Sequence, residues 1–110
     1  MSVALAYITT ANPEEAEKIG RLLVDKRLAA CVNIVPGMRS LFWWQGALDH
    51  GEETILIAKT QQNLVEELTR VVIEAHSYDC PCVLALPVVG GNPEFIRWIR
   101  EETRSSVEKS

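Results

Sequence analysis

The sequence predicts an α+β fold of the ferredoxin-like kind: an antiparallel sheet with helices on one face, plus a C-terminal helix. Three observations predict it. Apolar segments follow one another as strand, helix, strand, strand, helix, strand along the 110 residues, the order of a split βαβ arrangement. Two Asn-Pro-Glu triplets, Asn12-Pro13-Glu14 and Asn92-Pro93-Glu94, carry the chemistry of a helix start, with a capping side chain, a proline at the first helical position and an acid facing the dipole. Residues 29–44 read as one extended stretch, far longer than the usual strand of about five or six residues.

Taken in order, residues 3–9 are rich in β-formers and lead into the first helix start. Ala16, Ile19 and Leu23 then recur at helical spacing, and Lys26-Arg27 suit the C-terminal end of a helix. From Leu28 the pattern turns extended through Trp44, with Pro36-Gly37 predicting a bulge or bend. Residues 46–53 read as a polar turn, and residues 54–60 as a near-continuous apolar strand. Leu64, Leu68, Val71 and Ala75 form the stripe of a second helix. Residues 83–89 are the last apolar run, with Pro87 marking an edge or a bulge near its end. Phe95, Ile96, Trp98 and Ile99 would give the C-terminal helix its buried side. The whole chain, 1–110, is read as a single domain with a frayed tail from about residue 105.

Composition is that of an ordinary globular chain, 47% hydrophobic and 24% charged. The net charge of −4 argues against a nucleic-acid partner, which would require clustered Lys and Arg. Residues 1–7 lack the positive start and long apolar run of a signal peptide, and no apolar run reaches membrane-span length. No membrane partner and a cytoplasmic location are therefore expected. Three cysteines, Cys31, Cys80 and Cys82, make an odd count and suit a reducing compartment.

The densest chemistry lies in His76-Ser77-Tyr78-Asp79-Cys80-Pro81-Cys82. Cysteines two apart in an extended segment share a face, and thiolates are soft ligands favouring Cu(I) and Zn(II). Pro81 stiffens the link between them. Cys80 and Cys82, with His76 as a third ligand, are thus the candidate metal residues. No second paired spacing completes a four-ligand structural zinc site. The alternative is that both cysteines are small apolar residues leading into a buried strand, and His76 a hydrogen-bonded helix-end residue.

Several ordered segments together resemble the CutA1 family, the divalent-cation tolerance proteins. They are Leu28-Ala29-Ala30-Cys31-Val32-Asn33-Ile34-Val35-Pro36-Gly37, Ser40-x-Phe42-x-Trp44-x-Gly46, Lys59-Thr60 and His76-x-Tyr78-x-x-Pro81. The resemblance implies a ferredoxin-like subunit in a homotrimer, similar in architecture to PII signalling proteins, with a role in tolerance of copper and other divalent metals. It gives weight to Cys31, His76, Tyr78, Trp44 and Lys59. Departures from the family pattern are Ser77 for proline, Asp79 for glutamate, Cys82 for a second glutamate and Phe42 for tyrosine. A thiol at position 82 shifts preference from harder to softer ions.

Three functional classes follow. The first is a trimeric tolerance protein that requires no cofactor and takes up Cu(I), Cu(II) or another divalent metal ion. The second is a PII-like regulator whose intersubunit cleft, with Lys59, Tyr78, Trp44 and Cys31 as candidate residues, recognises a small anion or a protein partner. The third, an enzyme, is not expected. His76, Tyr78 and Asp79 offer acid–base groups, but no nucleophile motif, paired acids or phosphate loop accompany them. Residues 10–15 also lack the arginine that an acylphosphatase-like site would want. A long strand carrying Leu41, Phe42, Trp43 and Trp44 should project past the sheet, and closed self-association would consume it. Trp43 and Trp44, facing opposite ways, would place one ring in the subunit core and the other against a neighbour.

Overall fold

Asn12 takes an extended conformation, and its Oδ1 accepts the Glu15 N–H at 2.8 Å, so the chain leaves strand β1 (Val3–Thr10) and enters helix α1 (Pro13–Asp25) where the Asn-Pro-Glu triplet predicts. The structure, a computed structural model, describes residues 2–105. Beyond Ser105, the tail expected to fray lies outside the described residues. The apolar stripe of α1, Ala16, Ile19 and Leu23, is fully buried. Gly20 allows that helix to approach closely, because a Cβ there would meet Val32 Cγ2 at 3.0 Å and Leu56 Cδ1 at 3.3 Å.

Strands β2 (Cys31–Trp44) and β3 (Ala47–Gln61) form a hairpin joined by Gln45 and Gly46, with φ of 51° and 82°. Two left-handed residues in a two-residue loop match the twist of the flanking strands. The polar turn expected over residues 46–53 is therefore mostly strand. Residues 47–53 pair with Met38 to Trp44, and their polar side chains are compatible with a strand because this stretch of the hairpin stands in solvent. The bulge expected at Pro36-Gly37 is present: Val35 pairs with Ile55 and Met38 with Glu53, so two residues oppose Thr54 alone. Pro36 has no N–H to lose there, and Gly37 takes φ 80°.

A short 3-10 turn (Gln62–Leu64) leads into helix α2 (Val65–Ala75), followed by strand β4 (Val83–Pro87) and helix α3 (Pro93–Glu102). The sheet order is β2-β3-β1-β4, with every neighbouring pair antiparallel. This is the predicted ferredoxin-like arrangement. The core lies between the sheet and α1 and α2, where Ala6, Ile8, Leu56 and Ala58 meet Ile19, Leu23, Leu68 and Val72.

β1 stops pairing with β3 at Thr54, so residues 38–53 of the hairpin project as a two-stranded arm. The molecule is accordingly 43 Å long and 24 Å thin. Neither Trp43 nor Trp44 fills the subunit core: both are exposed, Trp43 at 74%. The expectation of one core ring fails because no helix reaches the end of the arm. The predicted buried side of α3 is also smaller than expected. Ile99 is buried and Ile96 half-buried, whereas Phe95 and Trp98 are exposed. The far end of this helix is held instead by polar contacts. Gln61 Nε2 donates to Thr103 Oγ1 at 2.7 Å, the Arg104 N–H donates to Arg27 O at 2.9 Å, and Arg27 pairs with Glu102 at 3.0 Å.

Candidate functional site

The segment joining α2 to β4 is fixed by contacts with three other parts of the fold, the Glu15 and Glu53 side chains and the Thr9 carbonyl. His76 ends α2, and its ring lies fully out of solvent. Its Nε2 stands 2.7 Å from Thr9 O and its Nδ1 3.1 Å from the Tyr78 N–H. A carbonyl only accepts and a backbone N–H only donates, so the ring is the neutral tautomer protonated on Nε2. Both nitrogens are thereby engaged within the subunit, which matches the hydrogen-bonded helix-end reading of this residue and leaves no lone pair free for an ion.

Glu15, on the first turn of α1, holds the next residue of the segment. Its carboxylate accepts the Ala11 N–H at 2.9 Å and the Ser77 N–H at 2.8 Å, and lies 3.8 Å from His76 Nδ1. Burial pushes this carboxyl up, but the Ala11 and Ser77 hydrogen bonds outweigh it and hold it below the ordinary carboxylate value. Tyr78 reaches the base of the arm, where its hydroxyl donates to Glu53 Oε2 at 2.7 Å. Ser40 Oγ donates to the other oxygen, Oε1, at 2.6 Å. Burial, then the hydrogen bond and charge of Glu53, push the phenol well above its usual value, so it stays a donor. The Tyr7 hydroxyl, 3.4 Å from Met38 Sδ, ties the central strand to the same place.

Past Tyr78 the segment has no regular secondary structure until Val83. Cys80 is exposed, Cys82 is half-buried, and both thiols are free. They are not packed as small core residues, so the apolar alternative for this pair does not describe the fold. Among the described residues, no group of three or more His, Cys, Asp or Glu side chains is placed to hold a metal ion within one subunit. What the subunit presents is a two-thiol pair on a loop whose N-terminal end is pinned by Glu15, His76 and Tyr78.

The candidate cleft residues separate into three places in the subunit. Cys31 and Lys59 are register partners on β2 and β3. Tyr78 lies beside Glu53, six residues along β3 from Lys59. Trp44 pairs with Ala47 at the tip of the arm, twelve residues from Lys59 and about 40 Å away at strand rise. Lys59 Nζ donates to Asn33 Oδ1 and sits 6.0 Å from the centre of the Phe95 ring. Phe95 in turn stacks on Trp98, with ring centroids 5.3 Å apart.

Glu15, Ser40, Glu53, Asn33 and Phe95 had no place among the sequence candidates. For Glu15 a signal existed: Asn12 with a glutamate three residues on is capping-box spacing, although the grip on Ser77 comes from the tertiary fold. The partners of Glu53 and Phe95 are 25 and 36 residues distant in sequence, and no local pattern encodes them.

The sheet is open over most of the side away from α1 and α2, where α3 covers only the end at Val3 and Gln61. Directly paired residues share a face, which gives three rows there: Cys31–Lys59–Leu5–Leu86, Asn33–Ile57–Tyr7–Leu84 and Val35–Ile55–Thr9. Leu84 is 62% exposed and Leu86 50%. The sequence model of the CutA1 divalent ion tolerance protein family matches residues 4–102. The divalent-cation tolerance protein CutA of Thermus thermophilus is 43% identical over 99 residues, covering 90% of this chain and 96% of that protein. The chloroplastic CutA 1 of Oryza sativa subsp. japonica is 41% identical over 102 residues, which is 93% of this chain, and the chain spans 58% of that protein's length. The crystal structure of CutA1 from Oryza sativa superposes with a TM-score of 0.92 at 39% identity, covering 94% of this chain and 95% of that one. The structure of the Thermus thermophilus protein gives 0.90 at 40% identity, with 93% and 99% covered. The chain therefore belongs to the CutA1 divalent ion tolerance protein family.

Proposed function

We propose that the protein acts in divalent-cation tolerance as a homotrimer that takes up a soft metal ion, copper first, through Cys80 and Cys82. The observation that carries this reading is the pair of free, solvent-accessible thiols on the segment that Glu15, His76 and Tyr78 pin. Thiolates favour Cu(I), and two sulfurs suit a low-coordinate soft ion better than zinc, which takes four ligands. Further ligands would come from neighbouring subunits, since His76 spends both nitrogens on Thr9 and Tyr78. The trimer is supported by the open sheet face and the projecting arm, both richer in exposed large apolar side chains than an isolated subunit tolerates. Free thiols suit a reducing compartment, so a cytoplasmic place and the absence of catalytic turnover belong to the same proposal.

Native mass spectrometry of the reduced protein during a Cu(I) titration against a competing chelator tests both parts. The expected result is a trimer binding one copper per subunit, with uptake lost and mass unchanged in the Cys80→Ser/Cys82→Ser variant. Equal copper uptake by that variant would sink the metal reading, and a monomeric mass would sink the assembly. Lys59 favours a second reading, a PII-like regulator whose intersubunit cleft takes an anion, since this lysine is the only charged residue in the three rows of the open face.

A further inference from the structure

A cation in the middle of an apolar surface needs an opposite charge when that surface is covered. Lys59 stands between Leu5 and Cys31 in the row that ends at Leu86, and its contacts are a neutral amide oxygen of Asn33 and the Phe95 ring. Among the described residues, none of the ion pairs involves it. Covering the face strips water from the ammonium, and an uncompensated buried charge is strongly unfavourable. Charge complementarity therefore calls for an anion at Nζ.

The surroundings restrict which anion. Phe95 and Trp98 form a tilted aromatic pair, both exposed, with Phe95 next to the ammonium. Their rings offer flat apolar area that the subunit itself does not bury. A phosphate-rich ligand would want several cations, an arginine fork or a free nest of backbone N–H groups. Here there is a single lysine, and at the start of α3 Pro93 has no N–H while the Glu94 N–H already donates to Asn92 Oδ1 at 3.0 Å. One cation beside two aromatic faces matches one carboxylate on a flat apolar body.

We propose that Lys59, Asn33, Phe95 and Trp98 form a seat for a small aromatic monocarboxylate. Lys59 Nζ pairs with the carboxylate, Asn33 Oδ1 holds the ammonium in place, and the two rings receive the ligand body. This rests on the anion-binding reading of the open face and names the ligand class. All four residues belong to one subunit.

Calorimetric titration of the assembled protein with 2-naphthoate, with neutral 2-naphthamide of the same shape and with ATP tests it. Mass is measured in parallel on wild type, Lys59→Met and Phe95→Leu. The expected result is saturable binding of naphthoate, one per subunit, about tenfold or more tighter than naphthamide. Lys59→Met, which keeps the aliphatic stem, should erase that preference, and Phe95→Leu should weaken both naphthalene ligands together. Naphthoate binding no tighter than naphthamide, or a preference that survives Lys59→Met, overturns the seat. ATP binding tighter than naphthoate overturns the carboxylate assignment while leaving an anion cleft in place, whereas no binding by any ligand overturns both. A trimer that dissociates on Lys59→Met, with no carboxylate preference in wild type, assigns the lysine to a subunit contact and also overturns it.

Discussion

The two faces of this sheet are built from the same four strands and the same alternation, yet they meet different fates. On the helix side, Ala4, Ala6, Ile8, Leu56 and Ala58 are fully buried. On the other side, residues one position along the same strands leave Leu84, Leu86 and Val35 exposed. Strand alternation sets which residues share a face, but it does not supply the cover. Two helices suffice for one face, and α3 covers only the end of the other, at Val3 and Gln61, with Phe95 beside Lys59. An antiparallel sheet with one solvated face normally turns polar residues outward. Here the outward rows are mostly apolar, which is why a second copy of the chain is the cover we favour.

Breaking each face separately sharpens the contrast. Leu56→Ala removes a fully buried side chain from the helix face and should cost about 2–5 kcal/mol in urea unfolding. Leu86→Glu on the open face should leave the far-ultraviolet circular dichroism of the subunit intact while the sedimenting mass falls from trimer to monomer. An unchanged mass would reject the assembly reading. Gly20→Val tests how tightly the covered face is packed. Its Cβ would stand 3.0 Å from Val32 Cγ2, so overpacking should destabilise by about 1–3 kcal/mol; equal or greater stability would show that α1 can slide away from the sheet.

Glu15→Gln probes the edge where α1 holds the thiol-bearing segment, and should cost about 1.5–3 kcal/mol at neutral pH, the usual scale of hydrogen bonds to a charged group. The sign with pH follows from the direction of the shift. The folded carboxyl titrates below the unfolded one, so its contribution is full above the ordinary glutamate value of about 4.3 and is lost as pH falls through the folded value. Unfolding curves of wild type and variant should therefore converge in acid, and a gap that persists at the lowest pH would assign the effect to packing. The smallest change is expected from Tyr78→Phe. It removes one bond to Glu53, a carboxylate that still accepts from Ser40, for about 0.5–1.5 kcal/mol in the same assay.

The parts of the fold legible in the sequence are those written in short-range chemistry. Asn12-Pro13 and Asn92-Pro93 start helices because capping and a fixed proline φ act within one turn. Ala16, Ile19 and Leu23 are buried as their spacing requires. The arm was legible as excess strand length at residues 29–44, but its partner was not. Polar residues 47–53 resemble a turn until a second strand offers them a ladder, and the actual turn shrinks to Gln45-Gly46.

Of the candidate site, the sequence supplied the thiol pair, His76 and Lys59 as residues of note, together with the family pattern. The tertiary structure decided what each can do. His76 became a neutral structural ring because the end of β1 presents the Thr9 carbonyl to it. Cys80 remained accessible because β4 begins only at Val83. Lys59 acquired an aromatic neighbour because α3 crosses back over the sheet to place Phe95 beside it. Identity and local propensity reside in a few consecutive residues. Ligand availability, burial and charge pairing depend on segments tens of residues apart, which only packing brings together.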